Sequence, residues 1–143
     1  MTLTLSLRCF GRGSKMTLNR PTGIIRTLPY SSASTAKAER RVAFRRAIGA
    51  FRSMDRLGDS EWIYIAMQAQ PKAEVLHCYI VMDGAVRLRA NIAGFEPGDS
   101  RECWDGSERR PKYWMVLTAP VSFAPHKIKM KGFQGFRYTE ALW

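Results

Sequence analysis

Cysteine and histidine are scarce in this chain. Its 143 residues include three cysteines and two histidines, and Cys9, Cys78 and Cys103 stand far apart. An odd number of widely spaced cysteines makes no disulfide framework, and no cluster of cysteines or carboxylates has metal-ligand spacing. The sequence therefore excludes the disulfide-stapled and zinc-finger classes. It predicts no cofactor and favours a reducing, cytoplasmic environment.

Long hydrophobic runs are also missing. No stretch approaches the roughly 18–20 consecutive apolar residues that a membrane-spanning helix needs. The opening residues Thr2–Phe10 have neither the charged start nor the small-residue cleavage site of a secretory signal. We therefore expect a chain without a membrane span, and its apolar content of 45% allows a packed core.

Acidic residues are nearly absent from the first 54 positions. This part holds eleven Lys and Arg residues and a single acid, Glu39, whereas residues 55–143 hold twelve basic and eleven acidic residues. The net charge of +11 therefore belongs almost wholly to the leading segment. A basic arm of this kind can contact phosphate or another anionic surface, but the overall charge is no evidence that the main domain does so.

Residues 1–34 show no sustained periodicity and are rich in the Gly, Pro and Ser residues of loops and linkers. We interpret them as a flexible, poorly structured N-terminal segment. Three origins remain open. The segment is a disordered tail or a start of translation assigned too early, with Met16 or Met54 as the true start. Alternatively it is a transit-type segment or a functional arm.

A basic amphipathic helix is predicted over residues 35–57. Thr35 can cap it, and apolar residues recur at i, i+3, i+4 and i+7, at Phe44, Ala47, Ile48 and Phe51. Arginines occupy much of the remaining surface. Such a helix can lie on RNA or on an acidic membrane, although packing of its apolar stripe on the neighbouring domain is the commoner arrangement.

From residue 61 onward the periodicity becomes that of strands. The predicted strands are 62–67, 76–82, 86–92, 113–118 and 133–138. Asp83-Gly84 predicts a two-residue turn with positive φ, residues 94–106 a loop, and Pro120 the end of the fourth strand. Short strands separated by turns favour a closed or nearly closed barrel. The predicted fold class is α+β, with a small mixed β-barrel over residues 61–143 preceded by the helix.

An ordered series of motifs marks the closing part of the chain. It comprises an aromatic-rich strand ending at Leu117, a proline-punctuated crossover, a Gly-x-x-Gly turn and a short apolar strand; the matching residues are Leu117, Pro125, Gly132, Gln134, Gly135 and Phe136. The stretch Arg87 to Phe95 adds an Arg-x-x-Ile-x-Gly-Phe pattern. Residues 86–138 thus resemble an ASCH/EVE-type domain of the PUA-like superfamily.

This resemblance implies a nucleic-acid-associated β-barrel with a binding role. ASCH domains usually begin with a Gly-x-Lys-x-x-Glu-x-Arg motif that supplies cleft residues, some of them catalytic in members that hydrolyse acylated cytidines. Residues 37–41 have neither the spacing nor the context of that motif, so we predict no catalytic residues. His77 and Cys78 are neighbours in a strand and point to opposite faces, and we expect Cys78 to be a small buried hydrophobe.

Basic and aromatic side chains supply the candidate binding residues. Lys127, Lys129 and Lys131 alternate along an extended segment, which suits phosphate contacts and equally a lysine-protected edge strand. The predicted nucleic-acid-binding residues are Arg89, Arg109, Arg110, Lys112, Lys127, Lys129, Lys131 and Arg137. The residues predicted to stack on a base or line a cleft are Trp62, Trp104 and Gln134.

These features predict a nucleic-acid-binding domain without catalysis, with RNA rather than DNA as its partner and a modified or flipped base as one form of ligand. Two alternatives stay open. A small hydrolase acting on an acylated nucleoside would need a lysine and a carboxylate within hydrogen-bond reach at a cleft. A regulatory module of a phage or mobile element would use the Arg-rich helix to engage an acidic protein partner.

Overall fold

The computed structural model of the chain describes residues 22–28, 37–103 and 107–143. The elements in these ranges are β1 (Gly23–Thr27), α1 (Lys37–Leu57), a 3-10 turn (Gly58–Ser60), β2 (Ile63–Met67), β3 (His77–Met82), β4 (Ala85–Pro97), β5 (Arg101–Glu102), β6 (Glu108–Arg109), β7 (Tyr113–Lys129) and β8 (Phe136–Thr139). Six strands form one sheet in the order β2-β7-β4-β3-β1-β8, and β5 pairs with β6 in a separate hairpin. The predicted α+β class is confirmed.

The sheet is open rather than closed into a barrel. Strands β2 and β8 are its edges, and within the described residues they do not pair with each other. Strand β4 shifts register against β7 at three places, and such irregularities bend strands. Buried residues of β1 and β2 consequently share one hydrophobic core. The predicted closed or nearly closed barrel is therefore corrected to a curled sheet with a seam between its two edge strands.

Strand β1 is an inner strand of this sheet. It pairs in parallel with β3 and antiparallel with β8, and Ile24 is fully buried. A Cβ on Gly23 would lie 2.5 Å from the carbonyl oxygen of His77, so glycine permits this close pairing. These residues belong to the folded domain, whereas their sequence had suggested part of the flexible segment 1–34. The other residues of that segment, except Thr22 and Leu28, lie outside the described ranges.

Helix α1 covers the core face of the sheet, as its apolar periodicity predicts. Ala47, Phe51 and Met54 are fully buried, and Phe44 and Ile48 pack partly buried against the same core. The proposed cap Thr35 lies outside the described residues. In the parts of the chain that the structure describes, no helix has the length and apolar character required to cross a membrane.

Strands β4 and β7 are longer than their sequence predicts. The hairpin of β5 and β6 occupies the region expected to be a loop, and β7 continues through Pro120. A register shift places Ala119 and Pro120 opposite no partner in β4, and proline is tolerated where the ladder is interrupted in this way. The predicted turn after β3 is confirmed, because Asp83 and Gly84 have φ values of 54° and 76°.

The C-terminal residues pack on the outer face of the sheet. There a second apolar cluster of Ile25, Tyr79, Val81 and Val86 is covered by residues that include Met130, Leu142 and Trp143. The backbone N–H of Leu142 donates to the Tyr79 hydroxyl at 3.0 Å, and the Trp143 indole donates to Ser122 at 2.9 Å. Both faces of the sheet are thereby covered around β3.

Candidate nucleic-acid interface

A cleft of about 710 Å³ lies along the seam between β2 and β8. We call it the seam cleft. Its lining residues are Arg26, Thr27, Met67, Gln68, Ala69, Phe133, Gln134, Gly135 and Phe136. The walls are largely apolar, and Gln134 is the one predicted cleft residue among them. Gly135 has a φ of 77°, a conformation that glycine adopts readily and that turns the chain at the cleft mouth.

Arg26 spans the seam beneath this cleft. Its Nη2 donates to the carbonyl of Ala66 in β2, and its Nη1 donates to the carbonyl of Gly135 beside β8, each at 3.2 Å. Its Nε is buried without a hydrogen-bond partner in the described residues, and none of the ion pairs found there involves it. Desolvation lowers the pKa of Arg26, but a guanidinium remains protonated. The seam cleft therefore carries a positive charge that no carboxylate of the described residues neutralises.

A second cleft, of about 470 Å³, separates α1 from the neighbouring ends of β4 and β7. We call it the helix groove. The guanidinium of Arg52 lies over the Phe123 ring at 5.4 Å, and that of Arg87 lies over the Phe44 ring at 5.0 Å. Lys127 lines the same groove, and Phe123 is 37% exposed. The helix groove therefore presents cations beside aromatic surface, the combination that single-stranded nucleic acids contact.

Lys127, Lys129 and Lys131 extend this positive surface along the last part of β7 and beyond it. All three are exposed, whereas Ile128 and Met130 between them pack against the outer apolar cluster. The predicted alternation is confirmed. In the described part of the chain, none of the three lysines forms an ion pair.

Arg137 lies at the same end of the sheet as these lysines. Its guanidinium lies 4.0 Å from the centre of the Phe133 ring, and Phe133 packs against the same outer cluster as Ile128 and Met130. The arginine is exposed. We call the surface formed by Lys127, Lys129, Lys131 and Arg137 the basic end.

Arg109, Arg110 and Lys112 lie at the opposite end of β7. The register pairs Tyr113 with Pro97 and Lys129 with Ala85, which are the two ends of β4. The 17 residues of β7 at a rise of about 3.3 Å each would place these ends roughly 50 Å apart in a straight strand. Although β7 bends, the structure does not bring Arg109, Arg110 and Lys112 into one patch with the basic end, as their closeness in sequence had predicted.

The other predicted site residues lie at separate places. Nη1 of Arg89 donates to the carbonyl of Trp143 at 2.6 Å on the outer face. Trp62, 52% exposed, lines a different cleft with Tyr64 and Arg101, and Arg101 lies 4.7 Å from the Tyr64 ring centre. The remaining candidate, Trp104, lies outside the described residues. In the described part of the chain, Trp62 and Gln134 line different clefts, and Arg89 contacts Trp143 away from both.

No family model, no curated protein and no solved structure matches the chain. The resemblance to ASCH domains therefore stays a prediction carried by the sequence motifs alone, and function has to be argued from the geometry of this protein.

The seam cleft does not contain the acid–base pair that the hydrolase alternative predicts. Among the described residues, its lining includes neither a lysine nor a carboxylate. Among the described residues, moreover, no group of three or more His, Cys, Asp and Glu side chains could hold a metal ion. The cleft instead presents apolar surface, side-chain amides and one guanidinium. These groups suit the binding of a ligand rather than acid–base catalysis.

Cys78 is predicted to be chemically inert in the folded protein. It is fully buried in the core, and desolvation raises the pKa of its thiol to about 12, so almost no reactive thiolate exists near neutral pH. We expect iodoacetamide at mildly alkaline pH to leave Cys78 unmodified until urea unfolds the chain, as measured by peptide mass spectrometry. Rapid labelling in native buffer would show that β3 is not a core strand.

Proposed function

We propose that the protein binds single-stranded RNA through the basic end and the adjoining helix groove. The observation that carries this proposal is the continuity of the two surfaces at Lys127, which lines the groove and begins the row of exposed lysines. Phosphates bind such a row without any base being read. Lys127 and Lys129 lie on the end of β7 and Arg137 lies on β8, so the sheet sets the spacing of these three backbone positions before the ligand arrives.

The arginines of α1 lengthen the positive rim of the helix groove. Arg45 and Arg41 precede Arg52 by two and three helical turns, so they lie along the same flank of the helix, and all three are exposed. The arginines of the predicted basic helix thus border the groove. A strand of nucleic acid lying there would meet cations on both sides.

A single strand suits this surface better than a duplex. Phe123, 37% exposed, lines the groove with the Arg52 guanidinium 5.4 Å from its ring centre. An unpaired base can stack on this arginine or on the exposed part of the ring, whereas the bases of an A-form duplex are already stacked on one another. RNA rather than DNA remains the proposed partner. A PUA-like relationship, supported by the motif series from Leu117 to Phe136, agrees with this role, and an open sheet of this order would be a variant of that barrel.

Binding of a short fluorescent single-stranded RNA should weaken steeply with salt. We assume that each of the four cations of the basic end contacts one phosphate. A plot of the logarithm of the association constant against the logarithm of salt concentration should then have a slope of about −3, because each phosphate contributes roughly −0.7. Fluorescence anisotropy over a KCl series measures the slope, with the same sequence as duplex and as DNA for comparison. Absence of binding at low salt, or capture of an acidic polypeptide in preference to RNA, would overturn the proposal.

A further inference from the structure

We infer that the seam cleft holds one unpaired base of the bound RNA and prefers guanine and uracil, which carry a carbonyl at purine C6 or pyrimidine C4, over adenine and cytosine, which carry an amino group there. This inference rests on the proposed function. The cleft adjoins the basic end, because Phe133 lines the cleft and also lies beneath the guanidinium of Arg137. A strand crossing the basic end therefore passes the cleft mouth.

The shape of the seam cleft fits a flat, largely apolar guest. At about 710 Å³ it lies within the usual size range of small-ligand pockets. Its lining residues include Phe133, Phe136 and Met67, and aromatic and sulfur-bearing side chains make favourable contacts with planar rings. A phosphate would find one cation and apolar walls there, whereas the basic end offers four exposed cations.

Arg26 determines which base edge is accepted. A guanidinium has five N–H donors and no acceptor, and two of the Arg26 nitrogens each make one hydrogen bond across the seam, to Ala66 and to Gly135. Its remaining donors and its unneutralised charge favour carbonyl oxygens. Arginine pairs with O6 and N7 of guanine for this reason. Uracil likewise has a carbonyl, O4, at the corresponding edge, whereas adenine and cytosine have the amino groups N6 and N4 there, which are donors and would oppose the guanidinium.

Gln134 completes the polar part of the cleft. It is exposed in the turn between β7 and β8, with its neighbour Gly135 accepting the Arg26 hydrogen bond. Its amide has both a donor and an acceptor, so it can pair with whichever group lies beside the base carbonyl. Gln134 thus adds affinity without reversing the preference that Arg26 imposes.

The test uses four RNA oligonucleotides that differ only in their central base. The positions flanking that base are abasic, and each oligonucleotide is titrated by fluorescence anisotropy. We expect the oligonucleotides with central G and U to bind on the order of tenfold more tightly than those with A and C.

Two variants test the roles of the cleft residues. Arg26→Gln should abolish the preference while keeping the salt-dependent binding. Gln134→Ala, at an exposed turn, should reduce affinity for all four oligonucleotides. Equal affinity of wild type for the four oligonucleotides would overturn the inference and leave the proposed function intact, whereas no binding to any of them would overturn the proposed function.

A second measurement on the unmodified protein covers the case in which Arg26→Gln does not fold. RNA carrying 4-thiouridine at the central position should photocrosslink to the peptides that contain Met67 or Phe133, both of which line the seam cleft. Mass spectrometry locates the crosslink. Because Trp62 and Met67 are only five positions apart, fragmentation of the crosslinked peptide has to assign the residue. Crosslinks confined to Trp62 would place the base in the other cleft and overturn the inference.

Discussion

Reversing Lys127, Lys129 and Lys131 to glutamate should weaken RNA binding by roughly a hundredfold or more at low salt. A pair of unit charges about 4 Å apart in water interacts by roughly 1 kcal/mol, so losing three attractions alone costs about 3 kcal/mol, and repulsion by the three new carboxylates adds to that loss. The three side chains are exposed, so these substitutions leave the core unaltered. The salt slope should also become shallower by about two units, because three phosphate contacts are lost. Anisotropy titrations against KCl provide both quantities.

A matched control separates local contacts from the effect of net charge. Arg109, Arg110 and Lys112 carry the same total charge at the opposite end of β7, and all three are exposed. Their reversal to glutamate changes the net charge of the protein equally. At about 0.1 M salt it should nevertheless shift the affinity only by the long-range part of the field, which is screened within about 10 Å at that ionic strength. Equal losses in the two triple variants would mean that net charge drives binding and that the basic end is no site.

The alternation of the three lysines is a local pattern, which is why the sequence predicts it. A strand places successive side chains on opposite faces, so exposure of Lys127, Lys129 and Lys131 follows once the segment is extended. The helix and the Asp83-Gly84 turn follow from equally local rules, namely the spacing of apolar residues and the positive φ of a tight hairpin. These predictions needed no knowledge of the rest of the chain.

The seam cleft depends on contacts between distant residues, and no local pattern reveals it. Arg26 donates to Ala66, 40 positions away, and to Gly135, 109 positions away. Its role in joining the two edges of the seam becomes apparent only once β1 is placed between β3 and β8. The available signal was the short run of Ile24 and Ile25 before an arginine, which is too brief to stand out among flanking loop residues.

The separation of the predicted basic residues has a similar cause. Sequence proximity suggested that Arg109, Arg110 and Lys112 join the three lysines in one patch. Strand β7 was expected to end at Pro120, but it continues to Lys129 and carries the two groups to its two ends. The sequence likewise does not predict that β2 and β8 stay unpaired. The number of strands and the spacing of turns do not determine whether the first and last strands of a sheet pair to close a barrel.

Replacing Ile24 by alanine should lower the free energy of unfolding by about 2–5 kcal/mol, the cost of truncating a buried Ile and leaving a cavity. Ile24 has no exposed surface and packs in the main core from an inner strand. If the segment before the helix were flexible, the same substitution would cost almost nothing. Urea denaturation followed by circular dichroism measures the difference.

Val42→Ala in helix α1 is the control for this substitution, because Val42 is 53% exposed and its truncation should change stability by no more than about 0.5 kcal/mol. A loss confined to Ile24→Ala would establish that β1 holds β3 and β8 together. It would also establish that Arg26, the second residue after Ile24 on the same short strand, is held in place by the core and not by the seam alone. Equal and small effects of the two substitutions would remove β1 from the folded domain, and with it the guanidinium on which base selection in the seam cleft depends.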